Sequence, residues 1–288
     1  MYREFIKKNA LIFYFLLCYI IMTIAVIIQI IFNVPTFTHV SFNIVGFILW
    51  FLQAFSPTIS AIIITGIISG KNEIKNLFKG FSRWKVGLIW YFAALLFIIA
   101  PLGAGILYVI FGGEAPGIDP NLTVQIFVFL VIFGMFSGPL SEETGWRGFA
   151  LPRLESKYSA LVSSLILGIL WTFWHLPLYF IPGSSQSGIP FPIYMILVVS
   201  ITIIMTWAYN NTNGSLIITV LIHFCFNFGS TLVVSTLGLM PMMIFFIVGG
   251  VLIIVYLAVV IAHGGSEKLS RRPDEAMPFI KLTNKRNQ

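Results

Sequence analysis

The octapeptide Ser141-Glu142-Glu143-Thr144-Gly145-Trp146-Arg147-Gly148 is a charged stretch within a long apolar part of the chain. Residues 124–140, directly before it, contain no ionisable side chain. A charged side chain near the centre of a membrane helix costs about 2.5–3.5 kcal/mol, so residues of this kind are candidates for function. Two carboxylates and a guanidinium within six residues therefore define the first candidate site.

Helical spacing gives the two carboxylates of this stretch different roles. Glu143 and Arg147 are four positions apart with the acid first, which is the favourable order for an ion pair on one helix face. Glu142 lies about 100° further around the helix and does not share that geometry. Arg147 can then neutralise Glu143 while Glu142 stays available as a base. An equally open interpretation puts all three side chains at a cytoplasmic helix end, among headgroups and water.

The composition is that of a polytopic membrane protein. Of the 288 residues, 58% are hydrophobic and only 9% are charged, which lies outside the range of soluble domains. The net charge of +7 would suit nucleic acid, but the 17 Lys and Arg residues fall in four clusters separated by apolar segments. Clusters of Lys and Arg between apolar segments indicate which connections of a membrane protein face the cytoplasm. We therefore expect an integral, multi-pass protein in a lipid bilayer, with no nucleic-acid partner.

Apolar runs predict an all-α fold with about eight transmembrane helices. The runs cover residues 9–32, 43–69, 86–110, 123 to the Glu-Glu stretch, 159–181, 191–209, 215–234 and 241–262. Eight spans put both termini on one side, and alternate counting puts every basic cluster on that side as well. Both termini are therefore predicted to be cytoplasmic. Residues 149–157 are interpreted as a short amphipathic connection at the membrane surface.

The predicted domain organisation is simple. Residues 1–265 form a single transmembrane helical domain, its active-site core lies at about 124–234, and residues 266–288 form a flexible, basic cytoplasmic tail. Pro139 removes a backbone donor one turn before Glu142. In lipid, such breaks are tolerated mainly where they face protein or a water-filled cavity.

Two histidines lie inside predicted spans, His175 in the fifth and His223 in the seventh. Asn227 follows His223 by one helical turn, so both project from one face. A single membrane histidine is most often a packing residue, but two of them with an amide and the extra Glu142 suggest catalysis. A carboxylate and a histidine can deprotonate a water, and a histidine with an amide can stabilise an oxyanion. Straight helices would put His175 about 22–25 Å deep and the others about 10–15 Å, so tilt or a helix break is needed.

The same side chains leave metal chemistry open. Glu142, His175 and His223 could supply three zinc ligands with a fourth position for water. The sequence has no His-Glu-x-x-His signature, and Asn227 suits hydrogen bonding better than zinc binding. The prediction is hydrolysis by a water held between Glu142 and His175, with no metal and no cofactor.

Three motifs in this order resemble those of the CAAX protease and bacteriocin-processing family. They are Glu142-Glu143-x-x-x-Arg147, His175 within Trp-His-Leu-Pro, and His223-x-x-x-Asn227, and together they cover residues 142–227. One departure is Trp171, where the family usually has phenylalanine four residues before the histidine. This exchange of one aromatic residue for another is expected to matter little.

The resemblance implies a glutamate-dependent intramembrane endopeptidase in a prokaryotic cell membrane. Glu142 with His175 would activate the water, His223 with Asn227 would form the oxyanion site, and the ion pair of the first motif would support them. The substrate would be a membrane-associated peptide or protein, either prenylated or a peptide precursor. Two alternatives remain: a non-catalytic immunity or regulatory protein of the same fold, and a transporter. Transporters usually show repeat symmetry between their halves, which this sequence lacks.

Overall fold

The computed structural model describes residues 2–36, 43–113, 123–184, 186–237, 242–274 and 277–278. Within these ranges every regular element is helical, which confirms the predicted all-α fold. The α-helices are α1 (Tyr2–Lys8), α2 (Ala10–Ile31), α3 (Ile44–Ser69), α4 (Lys71–Leu77), α5 (Leu88–Ile110), α6 (Val124–Phe136), α7 (Pro139–Glu143), α8 (Leu151–Glu155), α9 (Ala160–Trp174), α10 (Phe191–Asn211), α11 (Leu216–Leu237) and α12 (Met242–Gly264). A π-helical segment, Thr144–Ala150, joins α7 to α8, and short 3₁₀ turns cover Lys79–Ser82 and Leu176–Phe180.

The long apolar helices confirm a polytopic membrane protein. Among the described residues, five helical stretches are long and apolar enough to cross a bilayer: Ala10–Ile31, Ile44–Ser69, Val124–Glu155, Ala160–Phe180 and Phe191–Asn211. Shorter apolar helical pieces fall in the other three predicted spans: Leu88–Ile99, Leu216–Gly229 and Ile253–Gly264. The count of eight spans and the cytoplasmic position of both termini stay predictions.

Apolar side chains cover the outside of the bundle, and small or polar ones fill much of its interior. On α2, Ile20 and Ile24 are exposed, whereas Cys18 and Met22 on the opposite face are fully buried. The main helix pairs are α2 with α3, α5 with α11, and α9 with α10. An apolar exterior of this kind suits lipid rather than water.

Helix α3 and the π-helical segment cross in direct backbone contact. A Cβ atom on Gly145 would lie 2.5 Å from the carbonyl carbon of Pro57, so only glycine allows this approach. Pro57 has no N–H for the carbonyl of Gln53, and the hydroxyl of Ser56 donates to that oxygen instead, at 3.0 Å. The charged octapeptide is thereby held deep inside the bundle.

Much of the segment 149–157, which the sequence suggested to be an amphipathic connection at the membrane surface, packs into the bundle, and its depth in the membrane stays a prediction. The chain stays helical to Glu155, and the side chains of Phe149 and Leu151 are fully buried. Two of its three charged side chains have partners inside the protein. Arg153 Nη1 donates to the Phe149 carbonyl at 2.8 Å, and Glu155 Oε1 accepts from Asn210 Nδ2 at 2.7 Å. The amphipathic pattern therefore reflects buried polar contacts.

Part of the predicted flexible tail packs against helix ends. The N–H groups of Ala160 and Leu161, at the start of α9, donate to the carbonyls of Glu267 and Ser266 at 2.7 and 3.1 Å. The side chain of Leu269 is fully buried. Residues 266–270 are thus part of the packed structure, which corrects the predicted start of the tail. Residues 279–288 lie outside the described residues, so flexibility there stays a prediction.

Candidate active site

The carboxylate of Glu142 is buried and held by two indole rings. Its Oε2 atom accepts a hydrogen bond from Trp146 Nε1 at 2.9 Å and another from Trp171 Nε1 at 2.7 Å. Trp146 lies one turn further along the same helical stretch, whereas Trp171 comes from α9. The second oxygen, Oε1, takes no part in these two bonds and lies on the side of Gly138.

Three polar atoms surround one point beside Gly138. A Cβ atom built on this glycine would lie 3.2 Å from Glu142 Oε1 and 3.4 Å from both His223 Nε2 and Asn227 Nδ2. Because all three atoms lie within 3.4 Å of one point, they are close enough for a single water or carbonyl oxygen to bridge them. Glycine leaves the space beside them open. The structure thus brings Glu142, His223 and Asn227 together, as the sequence predicted.

The predicted ion pair between Glu143 and Arg147 is present. Arg147 Nη1 donates to Glu143 Oε1 at 2.9 Å, and both side chains are fully buried. The same oxygen lies 3.0 Å from His223 Nδ1, a contact that the sequence did not predict. Because a carboxylate only accepts, Nδ1 carries the hydrogen. This contact directs Nε2 of His223 toward the point beside Gly138.

His175 ends α9 and lies in a box of aromatic rings. Its Nδ1 is 2.9 Å from the carbonyl oxygen of Trp171. A carbonyl only accepts, so Nδ1 carries the hydrogen and Nε2 keeps a lone pair. The ring centroid is 4.6 Å from that of Trp174 and 5.3 Å from that of Tyr194. In the described part of the chain no direct hydrogen bond joins His175 to Glu142, but both contact Trp171.

The predicted difference in depth does not keep the site residues apart. Glu142 Oε1 and His223 Nε2 lie beside the same glycine, and Trp171 contacts both Glu142 and His175. The helical stretch that contains Glu142 continues to Glu155 instead of ending at the octapeptide, so counting residues from the octapeptide gave too shallow a position. The π-helical segment that follows Glu143 is a rare form that often marks functional sites.

Tryptophans are the site residues that sequence reasoning missed. Trp146 could have been found, because it lies one helical turn after Glu142 and carries an N–H donor. Trp171 could not, because its partner is on another helix. Trp174 forms another wall of the aromatic box around His175, and its Nε1 donates to the Ser56 hydroxyl at 2.9 Å.

Metal binding was the alternative that the sequence left open. Among the described residues, no three or more His, Cys, Asp or Glu side chains are grouped so that they could hold a metal ion. The metal-free mechanism is not tested by this observation and stays a prediction.

The fold and this cluster define a multi-span membrane protein with a buried glutamate, histidine and asparagine site. Residues 123–229, which contain every candidate site residue, match the family model described as type II CAAX prenyl endopeptidase Rce1-like. A protein of Methanococcus maripaludis named CAAX prenyl protease 2 is 28% identical over 232 residues, which cover 70% of this chain and 86% of that protein. The resemblance to the CAAX protease and bacteriocin-processing family is therefore confirmed.

Proposed function

We propose that this chain is an intramembrane endopeptidase of the CAAX protease type, with Glu142, His175, His223 and Asn227 as its catalytic residues. The observation that carries the proposal is the convergence of Glu142 Oε1, His223 Nε2 and Asn227 Nδ2 beside Gly138. Apolar packing alone gives a buried carboxylate no reason to face an imidazole and an amide. The match of residues 123–229 to the family model supports the same conclusion.

Glu142 acts as the general base. Its Oε2 atom is fixed by two indole N–H groups, so Oε1 can accept the proton of a water. His175 holds the other side of that water through Nε2, since its Nδ1 is engaged with the Trp171 carbonyl. The water then attacks the carbonyl carbon of the scissile peptide bond, and Glu142 passes the proton to the leaving amine.

His223 and Asn227 stabilise the oxyanion that forms on the carbonyl oxygen. Asn227 donates from Nδ2, and His223 donates from Nε2 when both ring nitrogens are protonated. Its Nδ1 already faces Glu143 Oε1 at 3.0 Å, so Nε2 is the ring nitrogen that is turned toward the oxyanion.

The substrate is a membrane-associated protein or peptide. The archaeal relative is named a CAAX prenyl protease, so we propose a prenylated C-terminal peptide as the first candidate and an unprenylated peptide precursor as the second. The location is a prokaryotic cell membrane, with the site reached from within the bilayer or its surface. No metal takes part, because Asn227 supplies an amide donor where a metal site would need a further ligand.

The test is cleavage by the purified protein in liposomes. Two quenched fluorescent peptides are compared, one farnesylated with a CAAX terminus and one carrying an unprenylated membrane anchor. We expect Glu142→Gln to abolish cleavage. Glu155→Gln, at another buried carboxyl group, is the matched control and should retain activity because glutamine still accepts from Asn210.

Cleavage that persists in Glu142→Gln would refute the proposed base. A biological role that survives this substitution while no cleavage occurs in the wild type would instead favour a non-catalytic immunity or regulatory protein.

A further inference from the structure

Trp171 occupies a position where the family usually has phenylalanine, and the structure gives this departure a consequence. The indole Nε1 donates to Glu142 Oε2 at 2.7 Å, shorter than the 2.9 Å bond from Trp146. Phenylalanine has no N–H group and could not make this bond. The exchange that the sequence suggested to be minor therefore adds a hydrogen bond to the candidate base.

Trp171 contacts both members of the water-activating pair. Its side chain binds the carboxylate of Glu142, and its own carbonyl oxygen lies 2.9 Å from His175 Nδ1. A single residue thus links the base and the histidine through direct contacts. Phenylalanine at this position would keep the main-chain contact to His175 but lose the contact to Glu142.

Two further side chains pack on the indole ring. The Arg147 guanidinium carbon lies 4.7 Å from the ring centroid over its face, and the His223 ring meets it edge-on with centroids 5.1 Å apart. A cation over the face draws electron density from the ring and favours donation by its N–H. The charged and catalytic groups thereby fix the plane of the ring and hence the direction of the N–H bond.

The two oxygens of Glu142 have different surroundings as a result. Oε2 accepts from two indoles, and Oε1 faces His223 and Asn227 beside Gly138. If Trp146 were the only donor, the Glu142 carboxylate could rotate about its Cγ–Cδ bond, because one hydrogen bond does not fix the plane of a carboxylate. Two donors from different helices do define it.

Resting on the proposed function, we propose that Trp171 is a positioning residue: its indole N–H holds the Glu142 carboxylate so that Oε1 faces the reacting water. The residue touches neither substrate nor water and acts through Glu142. Its contribution therefore lies in the rate of the chemical step and not in substrate binding.

Trp207, on α10, supplies a control outside the candidate site. Its Nε1 is buried without a hydrogen-bond partner among the described residues, and its ring packs on those of Trp90 and Tyr256. Replacing this indole tests what the change of ring does to packing alone.

The experiment compares Trp171→Phe with replacement of Trp171 by 3-benzothienylalanine, which keeps the shape of indole and lacks only the N–H. Cleavage of the farnesylated reporter peptide is measured in liposomes. Hydrogen bonds to charged groups are strong, so we expect kcat to fall about 10- to 100-fold with KM changed less than about twofold. The same two replacements at Trp207 should leave kcat within about threefold of the wild type.

The outcomes separate the two proposals. A wild type that is inactive, or that does not need Glu142, overturns the proposed function and this inference with it. A wild type that needs Glu142 but keeps full kcat with benzothienylalanine at position 171 overturns the inference alone. Should Trp171→Phe fail to fold, the benzothienyl variant decides the question, because it leaves no cavity.

Discussion

The buried ion pair between Glu143 and Arg147 yields a quantitative prediction about stability. Arg147→Met leaves a carboxylate with only the His223 contact, and Glu143→Gln leaves a fully buried guanidinium without its ion-pair partner. Two of the guanidinium nitrogens, Nε and Nη2, already lack a hydrogen-bond partner among the described residues, so apart from the face of the Trp171 ring no direct contact replaces Glu143. Breaking a buried pair costs about 3–5 kcal/mol, and we expect each single variant to lose this much.

The double variant should lose far less than the two single variants together. Removing both charges leaves the pair without an unpaired ion, and glutamine can still accept a weaker, uncharged hydrogen bond from His223 Nδ1, so the loss should be about 1–2 kcal/mol. The coupling energy between the two positions is then about 3 kcal/mol or more. Unfolding by increasing SDS in mixed micelles, followed by intrinsic fluorescence, gives the free energy of unfolding for each variant.

An exposed pair provides the control for this cycle. Lys268 Nζ and Asp274 Oδ1 are 2.7 Å apart, closer than the buried pair, yet their side chains are 33% and 65% exposed. A cycle on this pair should give less than about 1 kcal/mol of coupling. Additive losses at Glu143 and Arg147 would refute the reasoning, because they would mean that the two charges do not depend on each other.

Other sites give predictions with separate readouts. Gly138→Ala puts a methyl group 3.2–3.4 Å from three polar atoms of the candidate site, so kcat/KM should fall about 10- to 100-fold, whereas Gly134→Ala, one turn earlier, meets only ordinary contacts and should stay active. Gly145→Ala should abolish folded protein in size-exclusion chromatography, because the new atom would lie 2.5 Å from backbone. Cleavage should survive exhaustive chelation, and recovery of lost activity by zinc alone would contradict the metal-free mechanism. Glu155→Ala should lower the thermal unfolding temperature by several degrees, since Asn210 Nδ2 then keeps only the Lys268 carbonyl as an acceptor.

Much of the helical framework follows from local sequence. Apolar runs bounded by polar residues placed α2 and α3 within one residue of their observed ends, because helix length in a membrane is set by hydrophobic length. The Glu143–Arg147 pair follows equally from a spacing of four residues. Both are properties of a single helix and need no knowledge of its neighbours.

Contacts between distant helices were beyond sequence reasoning. Glu143 and His223 are 80 positions apart, and nothing in either segment indicates that they meet. Glu155 looked like a surface residue because its partner Asn210 comes 55 positions later. The sequence shows only that Trp171 is aromatic, whereas its hydrogen bond to Glu142 depends on how α9 packs against α7. In all three cases the contact is determined by the packing of helices that lie far apart in the sequence.

The docking of residues 266–267 on the start of α9 bears on the order in which the protein is made. The N–H groups of Ala160 and Leu161 find their acceptors more than 100 positions later in the chain. During synthesis, α9 therefore enters the bundle with these two N–H groups unpaired and only the Ser159 cap on the Val162 N–H in place. The residues that follow α12 must be made before the pairing is complete. Because α9 carries His175, we expect a chain that ends before Ser266 to contain every candidate site residue but to hold His175 less firmly.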